Sequence, residues 1–118
     1  MRKPSSNSVR IRSIDREAVD RAVRDYAARL RRDHPEIRRV IWFGSWVSGL
    51  PSPGSDVDLC IVVSEVMADV PSRERTARYL MPQLPLGLDL VVYTESEFQS
   101  LVDRAPAWHA AIQAGAHV

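Results

Sequence analysis

A single cysteine, Cys60, stands among 118 residues, and a lone thiol excludes an internal disulfide framework. It sits in an apolar run, where it is expected to act as a small buried hydrophobe. The chain is therefore expected in a reducing cytoplasm. No apolar run approaches the roughly 20 residues that a bilayer-spanning helix needs, so no membrane partner is expected. Residues 1–12 are basic and Ser-rich but hold no apolar segment, so no secretory signal is expected there. Internal repeats and low-complexity tracts are absent. No Gly-Lys-Ser/Thr occurs, which removes a P-loop. His34, His109 and His117 lack the spacing of a metal set. His34 is expected at a helix end, the other two at the surface or in packing.

What is there suits one globular domain, with ordinary apolar and charged fractions. The division expected is a flexible basic lead over residues 1–12 and a single domain over 13–118. The net charge of +1 hides an asymmetry. Residues 1–39 hold 12 of the 16 Lys and Arg and 6 of the 15 acids, a net of +6 against −5 for the rest. A basic helix could meet nucleic acid or an acidic partner. Here Arg alternates with Asp and Glu, which reads as a solvated helix face laced with ion pairs. Direct nucleic-acid binding is not expected.

Ser13 or Asp15 is placed to cap a first helix, whose inner face is Val19, Ala22, Val23, Tyr26, Ala27 and Leu30. Pro35 stops it. Ile37–Phe43 is the first strand, too uniformly apolar for a half-exposed one. A loop rich in proline and glycine leads to the second strand, Asp56–Val63, antiparallel or nearly so. A helix over about 73–83 is expected to turn Ala77, Leu80 and Met81 inward. Leu86–Tyr93 is the third strand. Thr94-Glu-Ser-Glu97 reads as a capping box opening a helix with Phe98, Leu101 and Val102 inward, and Trp108–Ala114 is a last short helix.

Chemistry concentrates in Trp42–Leu59, WFGSWVSGLPSPGSDVDL. A strand, a small turn at Gly44-Ser45 and a short helix are ingredients of an anion site, since unpaired backbone N–H groups can face a phosphate. Taken alone, Gly44-Ser45 is an ordinary strand-ending turn. Asp56 and Asp58, one residue apart where a strand begins, point to one face, with Cα atoms roughly 6.5–7 Å apart. Two acids opening a buried strand suit metal coordination better than a core. Asp89 is the only charge in the third strand, and an unpaired buried carboxylate is costly. It needs a partner, a proton or a metal.

Gly44, Ser45, Gly49, Ser55, Asp56, Asp58 and Leu59 together resemble the signature of the DNA polymerase beta-type nucleotidyltransferases, with Asp89 in the place of their third carboxylate. The short chain is similar to the minimal nucleotidyltransferases, often the antitoxin half of a pair with a HEPN-type toxin. The resemblance implies an α/β (α+β) fold, a small mixed sheet with helices packed on one side. It implies two Mg²⁺ ions held by Asp56, Asp58 and Asp89, and ATP as substrate. Gly44 and Ser45 would bind phosphates, Gly49 would permit the turn around the nucleotide, and Ser55 would brace the loop. It further implies transfer of AMP to a tyrosine hydroxyl of the toxin. Two positions depart from the pattern. Many minimal members carry arginine where Ser48 stands, and Trp46 follows Ser45, where it would stack on a base or simply pack. The rivals are a non-catalytic antitoxin that inhibits by binding, and transfer to a small molecule such as an aminoglycoside.

Overall fold

The computed structural model describes residues 4–48, 56–80 and 87–118, with residues 4–15 and Ser48 described by backbone alone. The elements run α1 (Pro4–Asp33), β1 (Ile37–Phe43), α2 (Ser45–Ser48), β2 (Val57–Val63), a 3-10 turn (Glu65–Met67), α3 (Ser72–Tyr79), β3 (Leu88–Thr94), α4 (Glu95–Arg104), α5 (Pro106–Gln113) and β4 (Ala116–His117). The strands form one mixed sheet in the order β3-β2-β1-β4. β1 pairs antiparallel with β2 and with β4, while β2 and β3 run parallel.

The helices cover both faces of this sheet, a correction to the one-sided packing expected. Side chains alternate along a strand. Val40 and Trp42 of β1, with Val57, Leu59, Ile61 and Val63 of β2, join Val19, Val23, Tyr26, Ala27 and Leu30 of α1 and Tyr79 of α3. The intervening Ile41, Phe43, Cys60 and Val62 join Phe98 and Leu101 of α4 and Ile112 of α5. The physical reason is in the two central strands. Val40-Ile-Trp-Phe43 and Leu59-Cys-Ile-Val-Val63 have no polar side, and each face needs a cover. Burying a Val, Leu or Ile contributes about 1.5–3 kcal/mol, so an open face would forfeit several such terms.

Other differences follow from packing. α1 begins at Pro4, well before Ser13 or Asp15; a proline in the first turn loses no intrahelical hydrogen bond. In α3 the buried residues are Arg75 and Tyr79, one helical turn apart. Ala77 and Leu80, expected inside, are exposed, and Met81 lies outside the described residues. Tyr79 brings the larger apolar body, and its hydroxyl donates to Glu36 Oε2 at 2.6 Å. Burial and that bond push the phenol pKa up. Val102 is likewise exposed, whereas Phe98 and Leu101 are buried. The Thr94–Glu97 capping box is present in both directions, and β1 spans the expected residues. His34 ends α1 against Tyr79, and His109 packs on Phe98. Among the described residues no helix is long and apolar enough to cross a membrane.

Candidate active site

The site forms where β1 ends and β2 and β3 begin. In the register, Phe43 of β1 stands opposite Asp58 of β2, and Asp58 stands opposite Asp89 of β3. Phe43, Asp58 and Asp89 therefore make one row across three strands, with all three side chains on the α4/α5 face. The Asp58 and Asp89 backbones are about 4.8 Å apart, the spacing of neighbouring strands. Asp56 lies just before β2, exposed, on the same alternation as Asp58.

Two glycines make room for the acids. After Phe43 the chain turns at Gly44 with φ 87°, a conformation that strains any side chain. A Cβ at Gly44 would collide with the Asp58 carboxylate, its Cγ only 3.0 Å away. The chain then enters α2 at Ser45, and the Val47 N–H donates to the Gly44 carbonyl at 3.1 Å. On the other side of β2, a Cβ at Gly87 would collide with the Asp56 carboxylate, its Cγ 2.9 Å away. The Val57 N–H donates to the Gly87 carbonyl at 2.9 Å, which pins this approach. A glycine two residues before the third acid is the only trace of this role in the sequence.

Asp58 is the half-buried member of the set. Burial, then the negative charges of Asp89 and Asp56, push its pKa up. No basic side chain among the described residues pairs with any of the three. Gly49 and Ser55 lie outside the described residues. Trp46 packs partly buried against the α1 core, on the sheet face opposite the acid row.

Hard carboxylate oxygens without a protein cation suit Mg²⁺, and the glycine-made spaces hold two of the carboxylates at the strand ends. In donor chemistry the residues fit such ions. As placed, however, no three acidic, His or Cys side chains among the described residues are gathered closely enough to hold one. The register thus joins Asp58 to Asp89 with Asp56 close by, but the trio expected from the sequence is not drawn together around a point.

The family model for the nucleotidyltransferase domain matches residues 23–105. A crystal structure of a protein proposed to be a nucleotidyltransferase, from Sulfolobus solfataricus, superposes with a TM-score of 0.61 at 16% sequence identity. The alignment covers 99% of this chain and 87% of that one, and at this identity it shows a shared fold. The search of curated proteins gives no match. The matched stretch contains the Gly44 turn, the acid row and the capped start of α4, and on that ground the chain belongs to the nucleotidyltransferase domain family.

Proposed function

We propose that the protein transfers AMP from ATP to a hydroxyl of a partner protein, a tyrosine of a HEPN-type toxin, and so acts as an antitoxin. The observation that carries nucleotidyl transfer is geometric: Asp58 stands opposite Asp89 in the strand register, and the Gly44 turn abuts the Asp58 carboxylate. Burial and two neighbouring acids raise the pKa of the Asp58 carboxylate, and no basic side chain among the described residues pairs with it. Like charges so placed oppose folding unless positive charge joins them.

In the reaction the acceptor oxygen forms a bond to the α-phosphorus of ATP. The bond from that phosphorus to the bridging oxygen breaks, pyrophosphate leaves, and the hydroxyl proton is released. Two Mg²⁺ ions on Asp56, Asp58 and Asp89 would lower the pKa of the attacking hydroxyl and offset charge on the leaving oxygens. Asp58, central in the row, anchors the site. Asp89 stands beside it on the acceptor side and takes the proton. The Gly44-Ser45 turn abuts Asp58 from the β1 side and faces the β- and γ-phosphates, a role supported by the resemblance of this motif.

A protein acceptor is supported by the same resemblance and by the course of the chain after β3. α4 and α5 close onto the sheet through Phe98, Leu101 and Ile112 and do not build a separate wall for a small acceptor. The second reading is inhibition of the partner by binding alone, favoured by Ser48 where many minimal members have arginine, since that loses a charge-assisted phosphate contact.

The test is incubation of the full chain with α-labelled ATP, Mg²⁺ and a lysate of its source cells, beside the Asp58→Asn/Asp89→Asn double variant. Label on a small helical protein, lost with the double variant, is expected. Equal labelling by the double variant would remove the acids from the mechanism. Neutralisation of the partner without ATP would favour occlusion, and label on a small molecule would shift the acceptor class.

A further inference from the structure

Trp108 is the only aromatic residue among the large hydrophobics exposed in the described part of the chain, at 38%. Its position is not incidental. It lies in the first turn of α5, and Ile112, one turn later, is fully buried. That periodicity turns the indole towards the sheet. The Trp108 Nε1–H donates to the Tyr93 hydroxyl of β3 at 3.0 Å. The ring meets Phe43 of β1 edge to face, at 5.4 Å between centroids and 89° between planes. Phe43 is the first member of the row that continues into Asp58 and Asp89. The indole therefore bridges the two strands flanking β2 on the face that carries the acids: its Phe43 contact is in the acid row, and its Tyr93 bond lies four residues along β3 from Asp89.

We infer that Trp108 is the stacking wall for the base of the nucleoside triphosphate whose phosphates lie at the acid row. The inference rests on the nucleotidyl-transfer reading and names the residue that holds the nucleoside. A ring already fixed by one hydrogen bond and one aromatic contact loses little freedom when a second ring stacks on it. Stacking on an indole suits every base, since each has a π-face, and favours the larger purines. The other tryptophan near the turn, Trp46, packs towards the opposite face of the sheet, so the two indoles make opposed predictions.

The experiment measures binding of MgATP and of magnesium tripolyphosphate, which has no base, by calorimetry on the full chain and its Trp108→Ala, Trp108→Phe and Trp46→Phe variants. Trp108→Ala is expected to weaken MgATP by about tenfold to a hundredfold, the range of one lost base stack, and to leave tripolyphosphate unchanged. Trp108→Phe, which keeps a π-face, is expected to recover most of the loss, and Trp46→Phe to bind as the parent does. MgATP binding unaltered in Trp108→Ala would overturn the inference, as would an equal loss of both ligands, which marks a structural role. A parent chain that binds neither ligand would overturn the nucleotidyl-transfer reading itself. One that binds both, with binding indifferent to residue 108, would leave that reading standing and remove Trp108 from it.

Discussion

The two ends of the β2–β3 pair treat carboxylates in opposite ways. Where the strands finish, Glu97 accepts from Arg75 Nη1 at 2.5 Å and from Nη2 at 3.1 Å, and takes the Thr94 N–H as well. Arg75 is almost wholly buried, and its remaining donors reach the Val70 and Ala68 carbonyls. Arg75 holds the Glu97 pKa down against the opposing effect of burial. Where the strands begin, Asp58 meets burial, Asp89 and Asp56, and its pKa goes up. One end satisfies its charge inside the protein and serves the fold. The other leaves charge unbalanced and is open to a ligand that supplies the balance.

The sharpest way to break this contrast is Asp58→Asn. Loss of the carboxylate proposed to hold Mg²⁺ is expected to lower nucleotidyl transfer by on the order of 10³-fold, corresponding to roughly 4 kcal/mol. The same variant is expected to melt higher than the parent without metal, because it removes like-charge repulsion. Added Mg²⁺ should then raise the parent's melting temperature and leave the variant's unchanged. The pH dependence has a definite sign. A folded-state pKa above the unfolded one means the folded chain holds more protons between the two values, so stability falls as pH rises through that window. Asp58→Asn should flatten this part of a melting-temperature profile; a parent and variant with parallel profiles would refute the charge argument.

At the opposite end, Arg75→Met is expected to destabilise by about 2–3 kcal/mol, below the full cost of breaking a buried pair because Glu97 is partly exposed. Denaturant melts would read it. Glu97 has a depressed pKa, so its contribution is complete above the ordinary glutamate value and lost as pH falls through the folded one. The acid limb of the parent's stability curve should therefore shrink in Arg75→Met. Gly44→Ala comes next, at about 1–2 kcal/mol from its positive φ alone, with activity falling further as the Cβ displaces Asp58. Thr94→Ala, which removes the side-chain cap of α4 and a buried methyl, is expected to cost about 1–2 kcal/mol and leave transfer untouched.

Much of the site was legible because its signals are local. Gly44-Ser45 follows an apolar strand, Asp56 and Asp58 alternate onto one face, and Asp89 is the lone charge of its run. Each follows from strand period and turn chemistry. The inner face of α3 was not legible. Ala77 and Leu80 are more apolar than Arg75, but burial there depends on Glu36 and Glu97, contributed by distant segments. The two-residue strand β4 carries no periodic signal and exists because β1 offers it an edge at Ile41 and Trp42. The roles of Gly87 and Trp108 have almost no local signal for a related reason. Their roles are defined by Asp56, Phe43 and Tyr93, none of which is a close neighbour in sequence.

By itself the sequence determined the three longer strands and the main helices, the position of the turn and which acids open the strands. These depend on hydrophobic period, backbone freedom and charge, which act over a few residues. Tertiary structure alone decided that β2 runs parallel to β3, so that Asp58 and Asp89 share a row, and that helices cover both sheet faces. Strand register and face coverage are set by contacts between segments far apart in the chain, where each segment's own preferences are silent.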